Sequence, residues 1–338
     1  MHLIKNQSLK TFNTFGIDAY SRFFAEAESS IEIKELIDWA KENELPVLLL
    51  NGGSNMLLTK DWEGLTIKID LKGKEIVHED EDFVLVKVQS AENWHQFVLW
   101  SLDNGYGGLE NLSLIPGKAG TAPIQNIGAY GVEIKDCMTE LTALEIATSK
   151  IRIFTNEDCK FGYRDSVFKN ELKNQFIILD VTYKLTKRNH QLNINYGAIQ
   201  TELQKMGVEN PGIKDVSKAV IKIREQKLPA PEKIGNSGSF FKNPVISNEQ
   251  YNELIKKFPD VQGHSKDGGF KVAAGWLIEK AGWKGKRFGD AGVHENQALV
   301  LVNFGNATGQ EIYDLSQRIL EDVLDKFGIL LEREVNII

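Results

Sequence analysis

Residues 105–131 read GYGGLENLSLIPGKAGTAPIQNIGAYG, with seven glycines and two prolines in 27 residues. Neither a helical nor a strand period of apolar residues runs through them. Structureless stretches beyond about 12–15 residues are uncommon inside compact domains unless they are functional or disordered. Disorder would leave Leu109, Leu112, Leu114, Ile115, Ile124 and Ile127 in water. An ordered, glycine-rich loop that brings backbone against a ligand is the better reading.

Strands and helices alternate on both sides of this loop. FVLVKVQS (83–90) predicts a strand, and AENWHQFVLWSLDNG a helix closed by Gly105. Further back, RFFAEA predicts a strand, and Ser29 with Glu32 gives a capping signature for a helix whose Ile33, Leu36, Ile37 and Ala40 form one stripe. PVLLL, NGGSN and MLLT read as strand, tight polar turn, strand. Beyond the loop, residues 139–148, 151–155 and 176–186 predict strands. Near residue 223 the character changes to IREQKLPAPEK, which marks the start of a second functional domain. Ser247 with Gln250 then caps a helix carrying Tyr251, Leu254, Ile255 and Phe258 on one face. Thr308 with Glu311 caps another, which carries Ile312, Leu315, Ile319 and Val323 and ends at Gly328. ILLEREVNII (329–338) reads as a final strand. The class is α/β or α+β.

At 338 residues the chain exceeds what one core usually organises, so two or three domains are expected. Hydrophobic residues at 42% and charged residues at 26% describe an ordinary soluble protein. A net charge of −7 argues against general nucleic-acid binding, because no basic excess is available to neutralise phosphates. The N-terminus has no secretion pattern, and no stretch nears the roughly 18 apolar residues of a membrane span. Cys137 and Cys159 lack CxxC spacing, and the six histidines are scattered, so no disulfide framework and no metal site are expected. A cytoplasmic location fits best.

The sequence lacks GxGxxG, the P-loop, GxSxG and HExxH. Ser239, in GSFFKNP (238–244), therefore has no hydrolase frame, and His294 is its one candidate partner if not simply structural. In NGGSN, Gly52 and Gly53 expose backbone N–H groups after a strand, and Ser54 and Asn55 add side-chain donors. Such a concave run of donors suits a pyrophosphate. The loop 115–131 adds more donors and an aromatic, Tyr130. Either glycine segment alone also reads as a tight turn. Arg164, in FGYRDSVFK, is either a catalytic cation or the surface partner of Asp165. Lys227, Asn243 and Gln297 taken singly are ordinary solvated residues, and Glu334 fits the outward face of an edge strand.

Taken together, NTFGI (13–17), GGSNML (52–57), IPG…APIQNIGAYG (115–131), YRDS (163–166), REQKLP (224–229), GSFFKNP (238–244), AGWLIEKAG (274–282), QALVLVN (297–303) and LEREV (331–335) make the chain resemble the UDP-N-acetylenolpyruvoylglucosamine reductase (UDP-N-acetylmuramate dehydrogenase) family, in its longer subtype. One such motif is weak, but nine in the family's order are specific. The resemblance implies an α+β protein: a two-lobed FAD-binding domain of the vanillyl-alcohol-oxidase type (residues 1–72 and 73–222) and a C-terminal substrate-binding domain (223–338) whose last strand returns toward the flavin. That scaffold explains a flavoenzyme without GxGxxG. It also implies non-covalent FAD, held by Asn51, Gly52, Gly53, Ser54 and Asn55, and by the loop through Ile115, Pro116, Gly117, Gly120, Thr121, Gln125, Asn126, Gly128, Ala129 and Tyr130. Ser239 matches the family's proton donor, and Arg164 and Glu334 its charge-stabilising pair. Tyr196, Lys227, Asn243 and Gln297 match contacts to the UDP part of the substrate.

The implied reaction carries hydride from NADPH to flavin N5 and then to C3 of an enolpyruvyl ether, with Ser239 protonating C2. The product, UDP-N-acetylmuramate, is a peptidoglycan precursor. A monomer is expected. Departures from the family are Arg333, where proline is common, Lys118, and Ala198. A cation next to Glu334 in sequence is expected to lower its pKa. Lys118 is expected either to touch a flavin phosphate or to face water. A rival on the same scaffold, an FAD oxidase, often tethers flavin through His or Cys, and neither residue occurs in the glycine loops. A non-catalytic flavin- or UDP-sugar-binding module is disfavoured because Ser239, Arg164 and Glu334 are all kept.

Overall fold

The Ser29 hydroxyl accepts a hydrogen bond from the Glu32 N–H at 3.2 Å, and the Glu32 carboxylate accepts one from the Glu28 N–H at 2.7 Å. This reciprocal cap starts α1, Ser30–Glu42, which buries Ile33, Leu36, Ile37 and Ala40 as its spacing requires. The computed structural model describes residues 2–266 and 268–338. The described chain divides into two compact units. The first comprises residues up to Gln7, Ser21–Gly52 and Trp62–Gln226; the second comprises Ser8–Tyr20, Gly53–Asp61 and Lys227–Ile338.

The first unit contains a four-stranded sheet in the order Ile4–Ser8, Tyr20–Ala27, Trp62–Ile69, Val47–Leu50. Its last three strands are parallel, with α1 as the connection between Tyr20–Ala27 and Val47–Leu50. Trp62–Ile69, between two partners, is not evident from sequence. Gly64 and Lys68 break its pattern, and a side chain at Gly64 would come within 2.0 Å of the Pro46 carbonyl oxygen. A five-stranded antiparallel sheet follows, in the order Ile151–Thr155, Met138–Glu145, Phe176–Thr186, Phe83–Gln89, Lys74–Glu79. Helix α2, Trp94–Asp103, begins at Asn93, whose side chain accepts from the Gln96 N–H. It ends where Gly105 takes φ +77°, the left-handed geometry that lets the chain leave the helix.

The core around α2 explains the order of the glycine loop. Val84, Val86, Val88, Trp94, Phe97, Leu141, Val181, Tyr183 and Leu185 are buried together, and Leu109, Leu112, Ala119, Ala122 and Ile127 of the loop join them. Ile124 alone of the loop's larger aliphatics stays exposed. Short 3₁₀ turns at Glu110–Leu112 and Ala119–Thr121 and a hairpin pairing Gly128–Ala129 with Val132–Glu133 supply local structure. Helices α3, Gly197–Lys205, and α4, Ile213–Lys227, complete the unit. Helix α4 runs through the expected boundary at 222–223, because Val216, Ala219, Val220 and Ile223 keep one buried face. It stops two residues before Pro229, and the units divide at the same place.

The second unit contains an antiparallel sheet in the order Gly235–Ser239, Val300–Asn303, Ala291–Val293, Arg287–Phe288. A smaller sheet joins Val245–Ile246, Gly269–Val272 and Gly263–Lys266. Three helices accompany them: α5 (Asn248–Lys257), α6 (Ala274–Lys280) and α7 (Gly309–Phe327). Both expected capping boxes form, at Ser247 with Gln250 and at Thr308 with Glu311. On α5 the buried face is narrower than its spacing suggests, because Ile255 is exposed. The terminal segment is not one strand. Residues 332–334 bond to Phe240 and Lys242, and only Asn336–Ile337 forms a strand, parallel to Met56–Leu57. The segment finds two partners in succession, which splits the ladder.

NTFGI threads through this second unit. The Asn13 side chain donates to the Leu9 and Ile17 carbonyls at 2.7 and 2.9 Å and accepts from the Ile17 N–H at 2.9 Å, so this buried amide is satisfied. The Thr14 N–H donates to the Gly53 carbonyl, and the Thr14 carbonyl accepts from the Asn236 N–H. Gly53 has φ +58°, and a Cβ there would lie 1.9 Å from the Phe12 carbonyl oxygen. Gly53→Ala therefore combines left-handed strain of about 1–2 kcal/mol with a backbone collision. The expected loss is about 3 kcal/mol or more, read as a melting temperature lower by roughly 6–12 °C. An unshifted melting curve would show that the Lys10–Phe12 turn yields freely.

Candidate active site

In the first unit, backbone bonds lay the front of the glycine loop along residues 90–94. The Trp94 N–H donates to the Gly117 carbonyl, and the N–H groups of Ala119 and Gly120 donate to the carbonyls of Glu92 and Ser90. Gly120 is required by packing, since a Cβ there would sit 2.4 Å from Ser90 Oγ. Asn51 Nδ2 donates to the Ser90 carbonyl and hydroxyl at 3.1 and 3.0 Å, while Asn51 Oδ1 is buried without a partner. Over Gly52 lies the stem of Lys118, whose Cγ would be 3.2 Å from an added Cβ. Burial lowers the pKa of the Lys118 ammonium, with Asp70 and Glu92 opposing. Lys118 therefore covers Gly52 with its stem rather than simply facing water.

The rear of the loop is held by side-chain amides, of which Asn111 and Asn126 are buried. Asn111 Nδ2 donates to the carbonyls of Tyr130 and Asn193, and Asn193 Nδ2 donates to the Gly131 carbonyl. Asn126 Nδ2 donates to Glu133 and to the Gly162 carbonyl, and Asn126 Oδ1 accepts from the Lys135 N–H. Arg164 does not turn to Asp165, which accepts from Asn170 at 3.0 Å. Its guanidinium donates to the Asn126 carbonyl at 3.5 Å and to the Gly128 carbonyl, with the Glu133 carboxylate 3.9 Å away. Leu114, Asn126, Tyr130 and Arg164 all take positive φ, at 58°, 43°, 51° and 53°. Four such non-glycine residues along one loop and its anchor mark a segment whose conformation is over-determined by its surroundings. Tyr196, half-exposed, meets the Tyr130 ring edge-on with centroids 5.4 Å apart.

In the second unit, Ser239 ends the strand Gly235–Ser239 and pairs with Val300. Gly238, before it, has φ +68° and open space where a Cβ would be, and its N–H is held by Asn236 Oδ1 at 2.9 Å. Phe240 and Phe241 are fully buried, and Phe240 packs edge-on against Phe15 at 6.1 Å. These rings pin the backbone on the far side of the half-buried serine. The Phe240 N–H donates to the Leu299 carbonyl, and the Phe240 carbonyl accepts from the Glu334 N–H at 2.8 Å. Glu334 is thus one backbone hydrogen bond from the residue after Ser239, and Asn55 Nδ2 donates to the Glu334 carbonyl at 3.3 Å.

Arg333 has partners of its own on α7. Its guanidinium donates to Ser316 Oγ and Gln317 Oε1, both at 2.8 Å, and lies 4.5 Å from the Tyr313 ring centroid. Neighbours along an extended chain point to opposite faces, so Arg333 is committed to α7 rather than to Glu334. Asn243 Oδ1 accepts the Ala274 N–H at 2.9 Å and so caps α6. Gln297 Oε1 accepts the Leu299 N–H at 3.3 Å, and Lys227 is exposed at the end of α4. His294 Nδ1 accepts from the Asn296 N–H at 3.3 Å, a local loop role. Asn111, Asn193 and Arg224 went unassigned in the sequence reading. Of these only Arg224 carried a signal, as the first residue of REQKLP.

The residues fit a flavin nucleotide. Among the described residues the N–H groups of Gly52, Gly53 and Ser54 donate to no protein acceptor, and the buried Asn51 Oδ1 is an acceptor of the kind a ligand hydroxyl satisfies. No cluster of three His, Cys, Asp or Glu suited to a metal occurs among the described residues, and none of their helices is long and apolar enough to cross a membrane.

Comparison with known proteins gives the same direction. The family model described as UDP-N-acetylenolpyruvoylglucosamine reductase, C-terminal domain, matches residues 230–338, and that described as FAD binding domain matches residues 21–155. The chain is 56% identical to the UDP-N-acetylenolpyruvoylglucosamine reductase of Flavobacterium johnsoniae, over 100% of both chains. It is 48% identical to that of Pseudomonas aeruginosa, over 100% of this chain and 99% of the other. The crystal structure of the Thermus caldophilus reductase superposes with a TM-score of 0.68 at 22% identity, covering 99% of this chain and 98% of that one, a likeness of fold. With motifs, fold and full-length identity in agreement, the chain belongs to the UDP-N-acetylenolpyruvoylglucosamine reductase family and is an FAD-dependent oxidoreductase.

Proposed function

We propose that this enzyme reduces UDP-N-acetylglucosamine enolpyruvate to UDP-N-acetylmuramate at the expense of NADPH, in the synthesis of peptidoglycan precursors. FAD, when bound, would supply the two-electron chemistry that links NADPH to C3 of the enolpyruvyl group. The chain's own residues handle charge and the proton. As hydride arrives at C3, the electron pair of the C2–C3 double bond moves toward C2 and the carboxylate. Arg164, permanently charged, binds that carboxylate, and Glu334 supports it. The Ser239 hydroxyl then gives its proton to C2 and is reprotonated from solvent. A carbanion is so basic that a weak acid suffices once it is correctly placed.

The observation that carries this reading is the setting of Ser239. It follows a glycine with nothing over it, precedes two buried phenylalanines, and lies beside the backbone of Glu334. That setting leaves the hydroxyl accessible and its backbone fixed, as a proton donor needs. Gly52, Gly53 and Ser54 would hold the FAD pyrophosphate through their N–H groups, and the loop 115–131 would hold the ring. Tyr196, Lys227 and the Asn243 and Gln297 amides would receive the UDP moiety. We assign the two sheets of the first unit to two flavin-binding lobes and the second unit to the substrate. A cytoplasmic monomer is the corresponding working form.

An anaerobic absorbance experiment tests the reading. NADPH is added to bleach the bound flavin, and UDP-N-acetylglucosamine enolpyruvate is then added. Rapid return of the oxidised spectrum is expected. Flavin that bleaches and stays bleached would refute the acceptor, and flavin that never bleaches would refute the donor.

A further inference from the structure

Arg224 is assigned no task in the reading above, yet it sits on α4 against the loop. Its Nε donates to the Leu114 carbonyl at 3.1 Å, and Tyr130, packed against the buried face of α4, is its other polar neighbour. Leu114 immediately precedes the segment 115–131, and Tyr130 lies one residue from its end. The Leu114 peptide is gripped from the other side as well, since its N–H donates to His95 Nδ1 at 3.0 Å. The charged neighbour that acts on Arg224 is a second cation, Arg164. No carboxylate acts on it among the described residues, and burial holds its guanidinium below the usual arginine range. A part-buried cation with no acid paired to it relies on its hydrogen bonds.

We propose that Arg224 is the positioning residue of the glycine loop, its planar fork tying Leu114 to Tyr130 and so fixing both ends of the segment that receives the flavin. A single bond to either end would let the other drift. The fork sets both at once, and a lysine, with its tetrahedral ammonium on a flexible stem, cannot reproduce it. The clamp extends further, because Tyr130 in turn supports the Tyr196 ring. This inference rests on FAD as the ligand of the loop.

Flavin-free protein titrated with FAD, followed by quenching of flavin fluorescence, tests it without turnover. Arg224→Lys is expected to raise the FAD Kd at least about tenfold while the flavin-free melting temperature stays within about 3 °C. Tyr130→Phe is expected to raise it by about threefold or more, and the double variant to match Arg224→Lys alone within about twofold, because both changes break one fork. A wild-type Kd in Arg224→Lys, or effects that multiply in the double variant, would overturn the proposal. Should Arg224→Lys not fold, Tyr130→Phe decides alone, since only a hydroxyl is lost, and an unchanged Kd there overturns it too. Wild-type protein that binds no FAD would sink the flavin reading itself, and its own titration shows that separately.

Discussion

Ser239→Ala leaves the bleaching of bound flavin by NADPH within about twofold of wild type and slows its return with the UDP-sugar substrate by about 10²–10⁴-fold, the range a positioned general acid supplies. The asymmetry follows from what each half of the cycle needs. Hydride transfer from NADPH creates no carbanion on a substrate, so no proton donor is required. Reduction of the enolpyruvyl group creates one at C2, and the Ser239 hydroxyl is the proton source we propose for it. The backbone around the substitution should not move. The Phe240 and Phe241 rings and the bond from the Gly238 N–H to Asn236 do not involve the hydroxyl. Stopped-flow traces of the two half-reactions check this directly. Equal slowing of both would show that Ser239 serves the flavin site rather than the proton.

Some of this arrangement was legible in the sequence, for identifiable reasons. Helix caps are local, so Ser29, Ser247 and Thr308 could be found by spacing, and the stripes behind Ser29 and Thr308 are buried as their period requires, whereas Ile255 behind Ser247 is exposed. The ordered state of the loop 105–131 could be inferred because its aliphatic residues had no other place to go. Strand Trp62–Ile69 could not be read, because its burial comes from two flanking strands that local pattern does not reveal. Lys74–Glu79 is exposed along its length, and its two apolar residues, Ile76 and Val77, are adjacent rather than alternating, so no strand period marks it. The partners of Arg333 could not be read either, because Ser316 and Gln317 on α7 are distant in sequence, while Glu334 is adjacent in sequence. The long-range role of Gly53, pressed against Phe12, is likewise invisible until residues 41 apart in the chain are brought together.

Arg164→Lys separates two tasks of one side chain, its observed bonds to the loop and its proposed hold on the substrate. The guanidinium donates to the carbonyls of Asn126 and Gly128, which shapes the loop, and it is the fixed cation assigned to the substrate carboxylate. Lysine keeps the charge but loses the planar fork, so paired bonding to two carbonyls or to a carboxylate is lost. The expected result is retention of FAD, flavin reduction by NADPH within about tenfold of wild type, and substrate-driven reoxidation slower by about 10²–10³-fold, the usual cost of removing one preorganised donor at developing charge. Arg164→Met should go further, because the charge goes as well. The left-handed backbone at Arg164, φ +53°, is kept by neighbours that neither substitution touches, including the Ser166 hydroxyl bonded to the Ile124 carbonyl. If instead Arg164→Lys releases FAD and the little that stays bound reacts at wild-type rate, the carbonyl anchors are what matter. Arg164 would then act with Arg224 as a second clamp on the loop, and the stabilising charge would have to come from elsewhere.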